Sequence, residues 1–229
     1  MKDIRMKKVL LCAATKAEIE PFLAYLETHF RQEEQDCFEG GTWQIHILIT
    51  GVGMMASAYA LSARLAVQAY DAAVQAGIAG SFDSSVPLGT VLGVRSEQYG
   101  DLGAEDRDGY IGIFDLGFLA ADTAPFTQGR LINGRPFAAG EDLPFADALS
   151  VNTVSGQTAT IERRRKAYGA QLESMEGISF HYACLQHQLP FLQLRAVSNY
   201  VTPRNRAEWN IGLAIGNLNQ SLQQLFALS

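Results

Sequence analysis

Two glutamates and one asparagine are the side chains whose types and positions suggest chemistry in this sequence. Glu176 follows a short apolar stretch and precedes a helical pattern, and Asn199 ends a second apolar stretch. A carboxylate and a side-chain amide at the mouth of one pocket suit a ligand that carries hydroxyl groups and a heterocycle. Glu18 follows the first apolar stretch of the chain. Two carboxylates in one crevice could divide general-base catalysis and the binding of hydroxyls between them.

The last third of the chain must place Glu176 and Asn199 together. Residues 171–175 are typical of the end of a strand, a helix begins at Glu176, and residues 191–197 predict a second buried strand. The apolar residues of this helix recur at three- and four-residue spacing, namely Ile178, Tyr182 and Leu185. This order predicts a βαβ unit of an open parallel sheet. Because ligands bind at the carboxyl ends of strands in such a sheet, we expect Glu176 and Ser198–Asn199 to face one crevice.

Glu18 has a structural interpretation beside the chemical one. Lys8–Ala13 predicts a short buried strand, and the helix after it carries an apolar stripe of Ile19, Phe22, Leu23, Leu26 and Phe30. A glutamate in the first turn of a helix complements the helix dipole, and the residues by themselves favour that role. Its position just beyond the carboxyl end of a sheet strand instead places Glu18 in the crevice with Glu176.

A glycine-rich segment follows the next predicted strand, Trp43–Thr50. Gly51–Ala56 matches the Gly-x-Gly-x-x-Ala dinucleotide pattern, and Asp71 lies near the distance expected of a ribose-binding acid. Asp71 precedes the strand Ala73–Ala76, whereas the acid of that pattern belongs at the end of a strand, so no dinucleotide is inferred. The glycines, Gly53 among them, still allow close approach of the backbone at a helix N-terminus, as they would in a tight packed turn.

Small residues dominate the segment after the third strand. We expect Gly77–Gly89 to form a loop in which a flat ring could lie against the main chain, with a long turn as the structural alternative. Residues 98–143 show few periodic signals. Because a structureless loop of that length is unusual in a compact domain, we expect short strands and a pocket rim there. Ala148–Val154 then predicts a further strand, and Trp209–Leu228 a terminal packing helix.

Composition limits the classes of protein to which the chain can belong. Its 229 residues, 48% hydrophobic and 18% charged, can bury a substantial core, so residues 1–229 are interpreted as one domain. The formal net charge of −6 opposes nonspecific binding to nucleic acid. The one local basic run, Arg163–Lys166, lies in a predicted helix, Ile161–Tyr168, where it is interpreted as a solvated face. We expect no nucleic-acid partner.

The N-terminus is basic and then apolar. Its apolar run, Val9–Ala14, is too short for the hydrophobic region of a secretion signal, and no later segment approaches the length of a membrane span. We therefore expect a cytoplasmic protein without a membrane partner. The three cysteines, Cys12, Cys37 and Cys184, have neither metal-ligand nor paired spacing, and the four histidines are scattered. Free thiols and no bound metal are expected.

Six segments follow one another along the chain: Ala14–Glu18, Thr50–Gly53, Gly77–Gly80, Val154–Gly156, Met175–Gly177 and Arg195–Asn199. Together they resemble the nucleoside phosphorylase and nucleosidase family over nearly the full chain. The Met-Glu element followed by Pro-Phe and Arg-Ala-Val-Ser is the specific part. The resemblance implies an α/β, single-domain, three-layer fold with a central mixed, largely parallel twisted sheet flanked by helices. It also implies a small-molecule nucleoside substrate, no cofactor, and a homodimer or larger homo-oligomer.

The resemblance assigns roles where positions match the family pattern. Glu18 matches the carboxylate that activates the attacking water in nucleosidases, and Met175 and Glu176 match the residues that pack on the ribose and bind its hydroxyls. Asn199 stands where adenine-cleaving relatives have an aspartate, which protonates purine N7. A neutral amide can donate to N7 without readily delivering a proton. A 6-oxopurine needs less help, because the charge on the leaving base can delocalise onto O6.

Gln75 is a second departure from the family pattern. Phosphorylases of the family have an arginine at this position, and its loss weakens phosphate binding, so water is the expected nucleophile. Substrate contacts are further expected at Gly53, Gly77, Ile78, Ala79, Gly80, Thr158, Ala159 and Thr160. The Thr158–Thr160 segment lacks the aromatic residue that relatives usually carry.

Three alternatives to hydrolysis of a 6-oxopurine nucleoside stay open. A nucleosidase for thioadenosine-type substrates is the nearest alternative, and Asn199 counts against it. A purine nucleoside phosphorylase is the next, and Gln75 counts against it. A noncatalytic nucleoside-binding protein is the third, and the presence of both Glu18 and Glu176 makes it less favoured.

Overall fold

The computed structural model describes residues 6–107, 109–135, 137 and 143–228. The strands are β1 (Lys7–Ala13), β2 (Arg31–Glu34), β3 (Cys37–Gly40), β4 (Trp43–Ile49), β5 (Ala72–Ser81), β6 (Val91–Tyr99), β7 (Gly103–Asp106), β8 (Gly109–Gly112), β9 (Leu131–Ile132), β10 (Phe145–Ser150), β11 (Leu172–Ser174) and β12 (Phe191–Tyr200). The helices are α1 (Lys16–His29), α2 (Met54–Val67), α3 (Thr158–Tyr168), α4 (Gly177–Gln186) and α5 (Ile211–Leu225), with a 3-10 turn at Arg206–Glu208. None of these described helices has the length and apolar character needed to cross a membrane.

The main sheet of the described chain is mixed. Its order is β11-β10-β6-β12-β5-β1-β4-β3-β2, with β9 paired to β6, and β7 and β8 form a separate ribbon. β5 runs parallel to both β1 and β12, while β12 runs antiparallel to β6. The prediction of a mixed sheet with flanking helices is confirmed, and antiparallel pairs take a larger part in it than expected.

Strand β11 closes part of this sheet into a barrel. β1 pairs with only the first part of β5, Ala72–Gln75. The far end of β5 would leave main-chain groups unpaired on that side, which is costly when they are buried. β11 pairs there in antiparallel fashion, with Leu172 opposite Ser81 and Glu173 opposite Gly80. Strands β5, β12, β6, β10 and β11 therefore form a closed ring, in place of the open twisted sheet that was predicted.

Three further predictions about strands need correction. β12 runs parallel to β5 and β11 antiparallel to it, so β11, α4 and β12 do not form a parallel βαβ unit. Gly77–Ser81 is strand and not the start of a loop. Its small residues lack strand propensity, but pairing with β12 on one side and β11 on the other holds the backbone extended. The predicted strand Ala148–Val154 begins earlier and ends at Ser150.

Alternate residues of β1 face two helical layers, as the two-residue period of a strand requires. Val9 and Leu11 lie in the core that contains α1 and α5, whereas Leu10 and Cys12 lie in the core that contains α2 and α4. Each fully buried side chain of this size stabilises the fold by roughly 1.5–3 kcal/mol. The central strands therefore have helices on both faces, and their ends are held rigidly enough to carry a site.

Two smaller predictions, of free cysteines and of short strands within residues 98–143, are also confirmed. The three cysteines are free and buried. The segment 98–143 contains the short strands β7, β8 and β9. Gly103 and Tyr110, in the first two of these strands, line a surface cavity.

Candidate active site

Glu18 contacts both its own helix and the neighbouring strand β5. Its Oε2 atom accepts hydrogen bonds from the main-chain N–H of Thr15 at 3.0 Å and from the Thr15 hydroxyl at 3.2 Å. Its Oε1 atom accepts a bond from the main-chain N–H of Ile78 at 3.2 Å. The side chain is 9% exposed. Glu18 therefore caps α1, as the structural interpretation requires, and also reaches the strand that carries Gly77–Gly80.

The terminal helix fixes the turn that carries Glu18. Asn219 of α5 donates from Nδ2 to the main-chain oxygen of Glu18 at 2.9 Å, and its Oδ1 accepts from the N–H of Phe22 at 2.9 Å. The sequence reasoning missed this residue. Its signal was an asparagine within the apolar stripe of the predicted terminal helix, where a polar side chain needs buried partners.

Glu176 lies at the N-cap of α4 and is also buried. Its Oε1 accepts a bond from the main-chain N–H of Gly53 at 2.8 Å, and its Oε2 lies 3.8 Å from Nη1 of Arg195. Burial raises the pKa of Glu176 above its ordinary value, while the charge of Arg195 and the Gly53 bond oppose that rise and Glu18 adds to it. The negative charge of Glu18 therefore lies near enough to Glu176 to act on it.

Arg195 joins this corner of the site and was not assigned a role from the sequence. It lies in β12, is 1% exposed, and donates from Nη2 to Oε1 of Gln75 at 2.9 Å. Gly77 makes this approach possible, because a Cβ atom there would overlap Arg195 Nη1 and would lie 3.1 Å from Oε1 of Glu18. The sequence could have indicated a role for Arg195, because it lies in a predicted buried strand and a buried charge requires partners.

Asn199 lies on β12 beyond an irregularity in the strand pairing. Val197 is opposite Ala79 and Asn199 is opposite Gly80, so Ser198 is an extra residue that redirects the strand. Oδ1 of Asn199 accepts from the Ser198 hydroxyl at 2.9 Å, and Nδ2 donates to the main-chain oxygen of Tyr200 at 3.1 Å. Because an amide nitrogen carries two hydrogens, one donor remains for a ligand.

A small cavity of about 40 Å³ borders this amide, and its wall includes Gly80, Ser155, Asn199 and Trp209. Gly77 lies beside Glu18 and beside Arg195, which contacts Glu176, while Gly80 lies beside the amide of Asn199. The two glycines are three residues apart on β5. At a strand rise of about 3.3 Å per residue, they are roughly 10 Å apart, a length comparable to that of a nucleoside. The structure thus places Glu18, Glu176 and Asn199 along one segment of β5.

The remaining expected contacts near β5 and α4 fall beside this segment. The Ile78 N–H binds Glu18, and the Ala79 main-chain oxygen lies 3.2 Å from the Ser198 hydroxyl, as a second and longer acceptor for the hydrogen that bonds Asn199 Oδ1. Met175 is half-buried and directly precedes Glu176, at the end of β11. These residues therefore lie beside the β5 segment that runs from Glu18 to Asn199.

Thr158, Ala159 and Thr160 lie elsewhere, in the first turn of α3. Thr158 and Ala159 are exposed, and Thr160 lines a separate cavity of about 630 Å³. Val154 and Ser155, just before this turn, line the small cavity beside Asn199. The structure therefore brings the preceding residues, and not Thr158–Thr160, to the wall of that cavity.

A buried ion pair supports the same wall. Arg164 is 3% exposed and donates from Nη1 to Oε2 of Glu173 at 3.0 Å. Ser155 donates from its main chain and its hydroxyl to Glu173 at 2.7 and 2.6 Å. The prediction that Arg163–Lys166 is a solvated face is wrong for Arg164, because its side chain turns inward to this carboxylate. The sequence feature that pointed to this ion pair was Glu173, a carboxylate in a predicted buried strand.

Across the residues that the structure describes, no three His, Cys, Asp or Glu side chains are grouped in a way that could hold a metal ion.

Comparison with known proteins identifies the wider group. Residues 8–229 match the family model of the phosphorylase superfamily. A futalosine hydrolase of Acidothermus cellulolyticus is 30% identical over 224 residues, which cover 96% of this chain and 91% of that protein. A futalosine hydrolase of Streptomyces coelicolor is 37% identical over 157 residues, which cover 68% of this chain and 65%, just under two thirds, of that protein.

A solved structure agrees at the level of the fold. A methylthioadenosine/adenosylhomocysteine nucleosidase of Colwellia psychrerythraea, in complex with adenine, superimposes with a TM-score of 0.75 at 18% identity, covering 96% of this chain and 95% of that one. This similarity extends over both the barrel and its flanking helices. With the family match over residues 8–229, it shows that the chain belongs to the phosphorylase superfamily, where its curated relatives are futalosine hydrolases.

Proposed function

We propose that this chain hydrolyses the N-ribosidic bond of futalosine and releases hypoxanthine. The observation that carries the proposal is the placement of Glu18 and Glu176 at one end of a β5 segment and of Asn199 at the other. Such a site offers carboxylates to a sugar and its attacking water, and an amide to a purine. The curated relatives supply the substrate. Resemblance to the futalosine hydrolases further implies a step of menaquinone biosynthesis.

Glu176 serves the sugar in this proposal. The bond to the base breaks first and leaves an oxocarbenium-like ribose, so a buried carboxylate beside the sugar stabilises the developing positive charge. Charge-assisted hydrogen bonds from the ribose hydroxyls to Glu176 are roughly twice as strong as neutral ones. Gly53 and Arg195 hold this carboxylate in place from two sides, and Met175 packs on the ribose.

Glu18 orients the attacking water and accepts its proton in this proposal. An ionised carboxylate has about four acceptor positions. The N–H and hydroxyl of Thr15 and the N–H of Ile78 occupy three of them. The remaining position can orient a water molecule and take its proton as the oxygen attacks the anomeric carbon.

Asn199 binds the purine in this proposal. With Oδ1 held by the Ser198 hydroxyl, its free N–H donates to N7 of the leaving base. A neutral amide stabilises negative charge there without delivering a full proton. This suits hypoxanthine, whose charge spreads onto O6, better than adenine.

Water is favoured over phosphate as the nucleophile because Arg195 lies beside two carboxylates and Gln75 adds no second positive charge. Gln75 is neutral and buried, and its oxygen is already bound to Arg195. The guanidinium of Arg195 is in turn shared with Glu176. A phosphate dianion at this corner would face two carboxylates, and the charge of Arg195 is already opposed by that of Glu176.

Chromatography of the products from futalosine, inosine and methylthioadenosine tests the proposal, with each substrate incubated with and without phosphate. We expect hypoxanthine from futalosine at the same rate in both conditions, and slower cleavage of the other two. A requirement for phosphate would indicate a phosphorylase. Faster release of adenine would indicate a thioadenosine nucleosidase, and binding without turnover a nucleoside-binding protein.

We also propose that the chain forms a homodimer or larger homo-oligomer. Large apolar side chains next to the Gly53 turn are exposed, namely Val52, Met55 and Tyr59, with Met55 at 86%. Light scattering of Met55→Glu and the wild type at equal concentration tests this contact. A lower mass for the variant is expected, and equal masses would contradict it.

A further inference from the structure

A buried carboxyl that the proposed mechanism does not use lies behind Glu176. Glu97 of β6 is 0% exposed. It accepts hydrogen bonds from Nε2 of Gln193 at 2.7 Å and from the hydroxyl of Ser150 at 2.8 Å. An acidic group in a protein core is costly unless its environment satisfies it, so its place next to a proposed active site calls for a function.

Glu97 contacts the first turn of α4, directly after Glu176. The Ser150 hydroxyl that donates to Glu97 also accepts from the main-chain N–H of Ile178 at 2.8 Å. A Cβ atom at Gly177 would overlap Oε1 of Glu97, so only a glycine permits this close approach. A shift of the Glu97 side chain would therefore move the start of α4, and Glu176 with it.

Two charged groups face Glu97 from the elements packed around it. Arg195 lies on β12, two residues beyond Gln193, and Glu176 lies at the N-cap of α4. On α4, His181 is neutral because burial lowers its pKa to about 3. The neighbouring β10 contributes the hydroxyl of Ser150, and β9 places the apolar Leu131 opposite Glu97.

The charge state of Glu97 changes near neutral pH. Burial raises the pKa of Glu97 to about 7, an increase that Gln193, Arg195 and Ser150 oppose and Glu176 reinforces. Below that pH, Glu97 is neutral and Glu176 keeps the attraction of Arg195. Above it, a second negative charge competes for Arg195 and repels Glu176.

We propose that Glu97 is a positioning residue for Glu176, which it holds through the first turn of α4 and displaces when it becomes charged. This inference rests on the proposed nucleosidase activity. Ionisation of Glu97 should therefore lower kcat as the pH rises above neutrality. The displaced Glu176 no longer binds the ribose hydroxyls in the geometry that bond cleavage requires.

Glu97→Gln and Glu97→Ala separate this role from simple packing. The first variant keeps the size of the side chain and cannot ionise, and rotation of the Gln193 amide turns its oxygen toward the new donor. The second leaves Ser150 and Gln193 without their partner. Glu34→Gln, on the exposed strand β2, removes one negative charge away from the site and is the matched control.

Separate measurement of kcat and KM for futalosine between pH 5.5 and 8.5 tests the proposal, a range chosen to bracket the value of about 7. We expect the wild type and Glu34→Gln to lose kcat above about pH 7, and Glu97→Gln to stay level across that range. Glu97→Ala should lose roughly tenfold in kcat at every pH. This is the lower end of the loss found when a residue that orients a metal ligand is removed, which is a comparable positioning role. An unchanged pH dependence in Glu97→Gln would overturn the proposal, as would losses confined to thermal stability.

Infrared spectroscopy supplies a readout that needs no substrate. The band of a neutral buried carboxyl should disappear near pH 7 in the wild type and be missing in Glu97→Gln. Its absence from the wild type would overturn the inference even if futalosine is cleaved. If the band titrates as expected and no nucleoside is cleaved, the proposed function fails and with it the assigned role of Glu97, while the ionisation itself stands.

Discussion

Glu18→Gln separates the chemical role of this carboxylate from its role as a helix cap. The three hydrogen bonds that Glu18 accepts come from the N–H and hydroxyl of Thr15 and from the N–H of Ile78. An amide nitrogen would face one of these donors, so one bond to a charged acceptor is lost. That loss costs about 1.5–3 kcal/mol of stability. A folded protein with roughly 5–15 kcal/mol of stability stays folded after it.

The expected loss of rate is larger. Removal of a general base costs about 10²–10⁴ in rate, which is roughly 3–5 kcal/mol in the activation barrier. Since the variant remains folded and keeps a side chain of the same size, a loss of this order must come from the chemical step. We therefore expect turnover to be nearly abolished while futalosine still binds.

Hypoxanthine release at saturating futalosine measures the rate, calorimetry measures binding, and urea denaturation measures stability. Thr15→Ala is the control for the cap, because it removes the hydroxyl partner and keeps the carboxylate. Glu20→Gln is the control for charge, since Glu20 is exposed on the same helix. If Glu18→Gln loses stability as calculated and yet turns over within about threefold of the wild type, Glu18 is a helix cap and not the base.

Three further predictions concern the other polar groups. Glu176→Gln should lower kcat strongly and hardly change calorimetric binding of free hypoxanthine, because only the ribose loses its charged acceptor; equal losses would mean that Glu176 holds the pocket together. Asn199→Asp should move the ratio of catalytic efficiencies from futalosine toward its 6-amino analogue by about tenfold, or ~1.4 kcal/mol, and an unmoved ratio would contradict its role in base choice. The wild type should lose up to about 3 kcal/mol of unfolding free energy between pH 4.5 and about 7, because the unfolded chain releases the Glu97 proton first. The unfolding free energy of Glu97→Gln, measured by denaturation over the same pH range, should not show this loss. An equal loss in the variant would mean that another group causes the pH dependence.

Much of the local structure follows from residue patterns. The apolar run Lys8–Ala13 predicted β1 to within one residue, and the helical stripe after it predicted the existence of α1. The start of α4 and the start of β12 were also predicted, whereas β12 continues three residues beyond the predicted end at Val197. These elements bring the chain to the positions of Glu18 and Glu176, so both could be predicted from the sequence.

Closure of the barrel could not be predicted in this way. It depends on β11 pairing with the end of β5, between residues about ninety positions apart, and nothing local in Leu172–Ser174 specifies that partner. The small residues Gly77–Ser81 were interpreted as a loop for the same reason, since their extended form depends on neighbours on both sides. Long-range pairing, rather than propensity, decides both cases.

The partners of buried charges were also beyond the sequence. Arg164 stands in a basic run that is otherwise largely solvated, and only the position of Glu173 shows that it turns inward. Arg195 lies in an apolar strand, and its sharing between Gln75 and Glu176 requires the register of β5 against β12. The sequence could show that such residues need partners, but it could not identify them.

Hydrolysis in oxygen-18-labelled water tests the central claim most directly. If water, activated by Glu18, attacks the anomeric carbon of futalosine, mass spectrometry at early times should find one labelled oxygen in the sugar product. Hypoxanthine should remain unlabelled, and added phosphate should change neither result. An unlabelled sugar, or a phosphorylated sugar formed in the presence of phosphate, would contradict the assignment of this chain as a futalosine-cleaving hydrolase.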